Sequence, residues 1–407
     1  MSKQKIYNDP VYGFITIPTP LVAALIAHPF FQRLRNIKQL GLTHYVYPGA
    51  LHTRFHHALG AMHLTMQAIE TLRSKGVAIN DDEAEALIIA VLLHDMGHGP
   101  FSHALENAIV QGVQHEWLSL RFMQHLNLLH NGKLQMAMDI FMDVYPKKFL
   151  HQLVSGQLDM DRLDYLNRDS FFTGVTEGVV SSDRIIKMLD VYNDTLVVEQ
   201  KGIYSVEKFI TARRLMYWQV YLHKTVLAAE NLLLQILKRA RFLAFKGHTL
   251  FATPAFTYFL TQPVTQAFFE QDEVLQQFAL LDDTDVFASV KVWCNSTDKV
   301  LALLCSSLVN RNLYKTTLQT APIESGIVQQ WQTKAVTVLG IKPDDAAYFA
   351  FAGTVANNAY QLSDENIHIM YKDGTLLDIA QASDNLNISV LAQPVVKHFL
   401  CLHRNLF

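Results

Sequence analysis

Residues 93–103 read LHDMGHGPFSH, and they follow directly on an apolar run, AEALIIAVLL, at 84–93. The run has the apolar spacing and length of a buried helix, and it delivers His94 and Asp95 side by side at its end. Burying an imidazole beside a carboxylate is costly unless a partner compensates both. A metal ion is such a partner. Imidazole and carboxylate ligands suit Zn, Fe, Mn or Ni, and mixed sites commonly keep positions open for water. Two ligands do not make a tight site, so others must come from elsewhere. His57 in HTRFHHALG (52–60) and Asp161 in LDMDRLDYLNRD (158–169) are candidates, yet spacing alone does not select them from 18 histidines. Asp159 and Asp164 compete with Asp161, and Asp159 also suits a helix N-cap.

Working outward, residues 5–18 (KIYNDPVYGFITIP) carry Asn-Asp-Pro and Gly punctuation and predict a small hairpin. From Pro20 to about Phe245 the pattern is helical, with apolar periodicity over 56–75, 81–96, 101–110 and 115–126. A second hairpin is predicted at 194–205 around Lys201-Gly202, followed by one long amphipathic helix over 206–245. Further helices run to about 310. Strands are then predicted near 313–320, 347–354, 367–371, 376–381 and 396–402, with a helix near 323–338. The expected fold class is mostly α. A helical core with its N-terminal hairpin would span 1–245, a helical extension 246–310, and a small α+β appendage 311–407.

The chain has 407 residues, half of them apolar, and a formal net charge of -3. That balance argues against a nucleic-acid binder driven by bulk electrostatics. Cys294, Cys305 and Cys401 are odd in number and lack CxxC spacing, so they read as free thiols in a reducing compartment. The first residues show no apolar signal segment, and the apolar run ending at Leu93 is too short to cross a bilayer. The expectation is a cytoplasmic protein without a membrane partner. His115-Glu116 starts like HExxH, but position 119 is Ser, so a zincin is excluded. There is no Walker A loop, dinucleotide-binding glycine motif or nucleophile elbow.

HTRFHHALG, HDMGHGPFSH, HEW and LDMDRLDYLNRD, in that order, resemble the HD-domain phosphohydrolases, and within them the deoxynucleoside triphosphate triphosphohydrolases. The resemblance covers about residues 5–245. It implies that His57, His94, Asp95 and Asp161 ligate the metal, and that His115 and Glu106 form an acid/base pair. The family usually carries Asp at the latter position. It further implies that His98, His103 and Arg54 contact phosphate. Arg162 stands where close relatives carry Lys, which keeps the charge and changes the geometry. Tyr165 and Asp169 would lie against the sugar, with Gln39 and Leu40 lining its pocket.

ARRLMYWQVYLHK (212–224) resembles the family helix that brings an Arg and a Tyr into the site. Arg213 and Tyr221 fit, with Arg214 as a rival for the former. Asn8, Gln32 and Arg35 match positions where mammalian relatives bind activating nucleotides between subunits. Ala27 replaces the Asp that reads guanine there, which argues against a guanine-selective activator.

The expected activity is hydrolysis of a deoxynucleoside triphosphate to deoxynucleoside and triphosphate. The expected cofactor is a divalent transition metal, with Mg as a companion of the substrate phosphates. The expected assembly, by analogy alone, is a homo-oligomer, dimer or tetramer. Two rivals remain: a broader nucleotidase or phosphomonoesterase on the same scaffold, and a catalytically quiet nucleotide-binding regulatory module. His52 and His56 have no role that the resemblance assigns.

Overall fold

Asn80 opens the helix that ends in the His-Asp pair. Its side chain accepts from Glu83 N at 2.8 Å while Glu83 accepts from Asn80 N at 2.9 Å, a reciprocal cap. Asp81, Asp82 and Glu83 then oppose the helix dipole in the first turn. In the computed structural model, which describes residues 5–101, 108–110, 112–357, 366–384 and 394–407, this helix runs Asp81–Leu93 and every residue from Leu87 to Leu93 is buried. The apolar run is thus a central core helix.

The N-terminal hairpin forms as predicted, from β1 (Ile6–Asp9) and β2 (Gly13–Thr16), paired antiparallel. Helices α1 (Pro20–Ala27), α2 (Arg54–Ser74), α3 (Asp81–Leu93), α4 (His115–Leu129) and α5 (Met160–Thr173) build the core around the site. Thr19 caps α1 with Pro20 in its first turn. Asp159 caps α5, which Gly174 ends in the left-handed conformation. The predicted helix over 101–110 falls largely outside the described residues, as do His103 and Glu106.

Two predictions fail between 189 and 245. Strand β4 (Thr195–Glu199) exists, but its partner is β3 (Leu189–Tyr192) on the other side, through a turn at Asn193-Asp194. Both turn residues have positive φ, 48° and 62°, the backbone that a two-residue hairpin requires. Lys201-Gly202 instead leads into a helix, α6 (Ile203–Met216). Gly202 serves close packing there: a Cβ would meet Val198 Cγ1 at 2.5 Å. The long helix over 206–245 is also interrupted. A π-helical turn at Tyr217–Tyr221 separates α6 from α7 (Lys224–Phe245), which His223 caps.

Four further helices follow, α8 (Pro254–Thr261), α9 (Asp272–Ala279), α10 (Asp283–Trp293) and α11 (Lys299–Val309). Beyond them, β5 (Lys315–Gln319), β9 (Val395–Leu402) and β6 (Ala350–Asn357) form an antiparallel sheet in that order, with α12 (Ser325–Leu339) beside it. The strands β7 (His368–Met370) and β8 (Leu376–Asp378) join β3–β4, with β7 parallel to β4, so the C-terminal region completes a sheet begun in the core. The fold is a mostly α core with a C-terminal α+β appendage. Among the described residues no helix is long and apolar enough to cross a membrane.

Candidate active site

Three helices converge on one point. α2 brings His57 from its first turn, the end of α3 brings His94 and Asp95, and α5 brings Asp161 from its first turn. His57 Nε2 lies 2.9 Å from Asp161 Oδ1 and 3.8 Å from Asp95 Oδ2. His94 Nε2 lies 3.3 Å from Asp95 Oδ1 and 3.5 Å from Asp161 Oδ1. Ligand atoms each about 2.1 Å from one ion stand about 3.0–3.5 Å apart in octahedral or tetrahedral geometry, so these spacings suit a bound cation.

The ring tautomers agree. His57 Nδ1 donates to Asp164 Oδ2 at 2.7 Å, and His94 Nδ1 donates to Val91 O at 2.6 Å. Each ring therefore turns a buried Nε2 inward, toward the carboxylates of Asp161 and Asp95. A backbone or carboxylate acceptor behind a ligating imidazole is the usual support of a metal site. Burial alone would lower the basicity of both rings. The neighbouring carboxylates outweigh it, holding His57 up to about 10 and His94 up to about 9. Against the cost of their own burial, the same contacts depress Asp95 and Asp161. Electrostatically the cluster is two carboxylates demanding positive charge.

The flanking groups are arranged around Asp95. Arg54 Nη1 donates to Asp95 Oδ2 at 2.5 Å, and His98 Nε2 lies 3.3 Å from Asp95 Oδ1. His98 and His115 stack with ring centroids 3.7 Å apart, and together with Asp95 they form a second group of convergent ligand atoms. Arg162 pairs with Asp159, which also accepts from Arg162 N at 2.7 Å as the N-cap of α5.

A cavity of about 310 Å³ opens beside the cluster, lined by Gln39, Leu40, Arg54, Phe101, Tyr165, Asp169, Tyr217 and Tyr221. Asp169 accepts from Tyr221 Oη at 2.7 Å, and His52 Nε2 lies 2.7 Å from its other oxygen. His52 is buried and stacks on Phe172. Arg213 is half-buried and near enough to Tyr165 to act on it electrostatically, and its buried Nε has no hydrogen-bond partner among the described residues. Gln32 and Arg35 bond each other at 2.8 Å on the same chain.

Several residues in this arrangement had no signal in the sequence. Asp164, by its motif position a rival ligand, sits instead behind His57. His52 had no role, yet it holds Asp169. Tyr217 reaches the cavity through the π-helical turn. Ser119, noted for breaking an HExxH pattern, accepts from Gly97 N at 2.8 Å and donates to His94 O at 2.5 Å, which ties the His-Asp loop to α4. A hydroxyl's position between two backbone groups is not visible in a one-dimensional motif.

Comparison with known proteins agrees with this geometry. Residues 54–154 match the HD domain family and residues 180–243 the HD associated region. A crystal structure of a phosphohydrolase from Bacteroides thetaiotaomicron VPI-5482 superposes with a TM-score of 0.96 at 53% identity, covering 99% of this chain and 100% of that one. The Bacillus subtilis (strain 168) protein YwfO is 30% identical over 394 residues, 94% of this chain and 88% of its own. The Dictyostelium discoideum homologue of the deoxynucleoside triphosphate triphosphohydrolase SAMHD1 is 30% identical over 239 residues, 54% of this chain and 46% of its own. With His57, His94 and Asp95 inside the matched HD domain, the chain belongs to the HD-superfamily phosphohydrolases, with deoxynucleoside triphosphate triphosphohydrolases among its relatives.

Proposed function

We propose that this metal-dependent phosphohydrolase cleaves deoxynucleoside triphosphates at the α-phosphorus, releasing deoxynucleoside and tripolyphosphate. The observation that carries the reading is that Arg54, bonded to Asp95 of the His57–His94–Asp95–Asp161 cluster, also lines a cavity whose Asp169 is held by Tyr221 and His52. A carboxylate oriented by a phenol and an imidazole suits a sugar hydroxyl, and Tyr165 offers the sugar a flat wall.

His57, His94, Asp95 and Asp161 would hold a divalent transition metal, which when bound supplies Lewis acidity at the phosphoryl centre. Mg would accompany the substrate phosphates. Arg54, His98, Arg162 and Arg213 are the positive or imidazole groups that would receive the polyphosphate tail, with His103 from the segment outside the described residues. Water attacks the α-phosphorus, the bond to the 5′-oxygen breaks, and that oxygen takes a proton. The resemblance makes His115, with Glu106 from the segment outside the described residues, the donor of this proton. Gln39 and Leu40 would close the sugar pocket.

The test is product identity. Purified protein is incubated with each dNTP, each NTP and p-nitrophenyl phosphate, and the phosphorus product is read by ³¹P NMR. Tripolyphosphate from dNTPs is the expected result. Inorganic phosphate from every substrate would replace this reading with a general phosphomonoesterase, and tight nucleotide binding without turnover would replace it with a regulatory module.

A further inference from the structure

We infer that Arg168 is a positioning residue for His57, and that Asp9 of the N-terminal hairpin holds Arg168 in that task. The inference rests on the metal-site reading above. α5 grips His57 at both ring nitrogens, with Asp161 facing Nε2 and Asp164, three residues on, accepting from Nδ1. Asp164 is itself held by a two-pronged fork: Arg168 Nε donates to Oδ2 at 2.9 Å and Nη2 to Oδ1 at 3.0 Å. The remaining arm, Nη1, donates to Asp9 Oδ2 at 2.7 Å. Asp9 Oδ1 is taken by Val11 N at 2.9 Å and Tyr12 N at 3.0 Å in the hairpin turn. A continuous chain thus runs from the hairpin to the ring that faces the cation.

Two features show that the chain is built for this path. Arg168 is fully buried, and so are Asp164 and His57, so every guanidinium arm needs a partner and finds one. On α2, Gly60 leaves the space that the fork occupies. A Cβ there would stand 2.0 Å from Asp164 Oδ1 and 2.1 Å from Arg168 Nη2. A planar fork fixes the rotation of the Asp164 carboxylate, which fixes the His57 ring. A lysine at 168 keeps the charge but cannot span both oxygens.

The experiment uses Co(II) as probe on the full chain stripped of metal, with affinity and visible d–d absorption as readouts alongside thermal unfolding. The variants are R168K and D9N, with R239K as control, since Arg239 is another buried arginine, on α7, bridging Asp298 and Asp345. R168K and D9N are expected to weaken Co(II) binding about 10-fold or more and to shift the bands, the usual effect of disturbing a ligand's support. R239K is expected to lose stability with Co(II) affinity and spectrum unchanged. Folded R168K and D9N with wild-type affinity and bands would overturn the inference. Should R168K not fold, D9N decides alone, because it leaves the fork to Asp164 in place. If D9N does not fold either, the chain is a folding element and the inference is overturned. A wild-type protein that takes up no Co(II) refutes the metal-site reading itself, a separate result.

Discussion

Gly97→Ala tests whether the His-Asp loop must lie against the first turn of α4. A Cβ at 97 would stand 2.0 Å from the His115 carbonyl oxygen and 2.5 Å from Ser119 N, both backbone atoms that no rotamer change can move away. Relieving such contacts requires the loop and helix to part by roughly 1 Å. Overpacking of this kind costs about 1–3 kcal/mol. Parting also breaks the bonds from Gly97 N to Ser119 Oγ and from Ser119 Oγ to His94 O, at about 1 kcal/mol each. The variant should therefore lose about 3–5 kcal/mol, while Ser119→Ala, which removes only the hydrogen bonds, should lose about 2 kcal/mol. Because the displaced elements carry His94, His98 and His115, a shift near 1 Å should also lower kcat by about 10²-fold. Urea unfolding followed by the fluorescence of Trp117 on α4 reads the first quantity, and hydrolysis under saturating substrate reads the second. A G97A protein within about 0.5 kcal/mol of wild type, with unchanged kcat, would refute the argument that this approach is tight.

Three further outcomes follow from the same geometry. Asp161→Ala should abolish stoichiometric metal in elemental analysis, and it should remove the stabilisation that saturating metal gives the wild type, about 4 kcal/mol at a thousand times Kd; full metal content in D161A would count against the ligand set. Tyr221→Phe should lower kcat/KM for dNTPs about 10-fold by freeing one oxygen of Asp169, with metal content unchanged; metal loss in this variant would show that Tyr221 acts elsewhere. Burial pushes His403 down to about 4 in a site where it shares a hydrogen bond with Ser307 at 2.9 Å. The unfolded chain takes up a proton near pH 6.5 that the native protein refuses until about pH 4, so this group's contribution is complete above 6.5 and is lost as pH falls through that window. The loss is on the order of 3 kcal/mol. His403→Gln should flatten that part of the stability profile in urea titrations at successive pH values, and parallel profiles would refute it.

What could be read from the residues themselves was local. The apolar run at 84–93 announces α3, and hence places His94 and Asp95 at its buried end, while the Asn80–Glu83 cap that opens the helix emerged only from the structure. The punctuation at Asn8-Asp9-Pro10 announces the hairpin, because turn chemistry acts over a few bonds. The ordered motifs named the family because they recur as a set. Folding alone decided which residues meet. β4 chose β3 over the segment after Lys201, since Asn193-Asp194 supplied the positive-φ turn and Gly202 was needed for packing. The π-helical turn that delivers Tyr217 and Tyr221 to the cavity leaves the apolar periodicity too little altered to be noticed. Asp164 behind His57, His52 behind Asp169, and Asp9 reaching Arg168 across 159 residues are pairings between distant stretches. Each is selected by the need of a buried charge or donor for a partner. That need exists only once the helices have packed and excluded water.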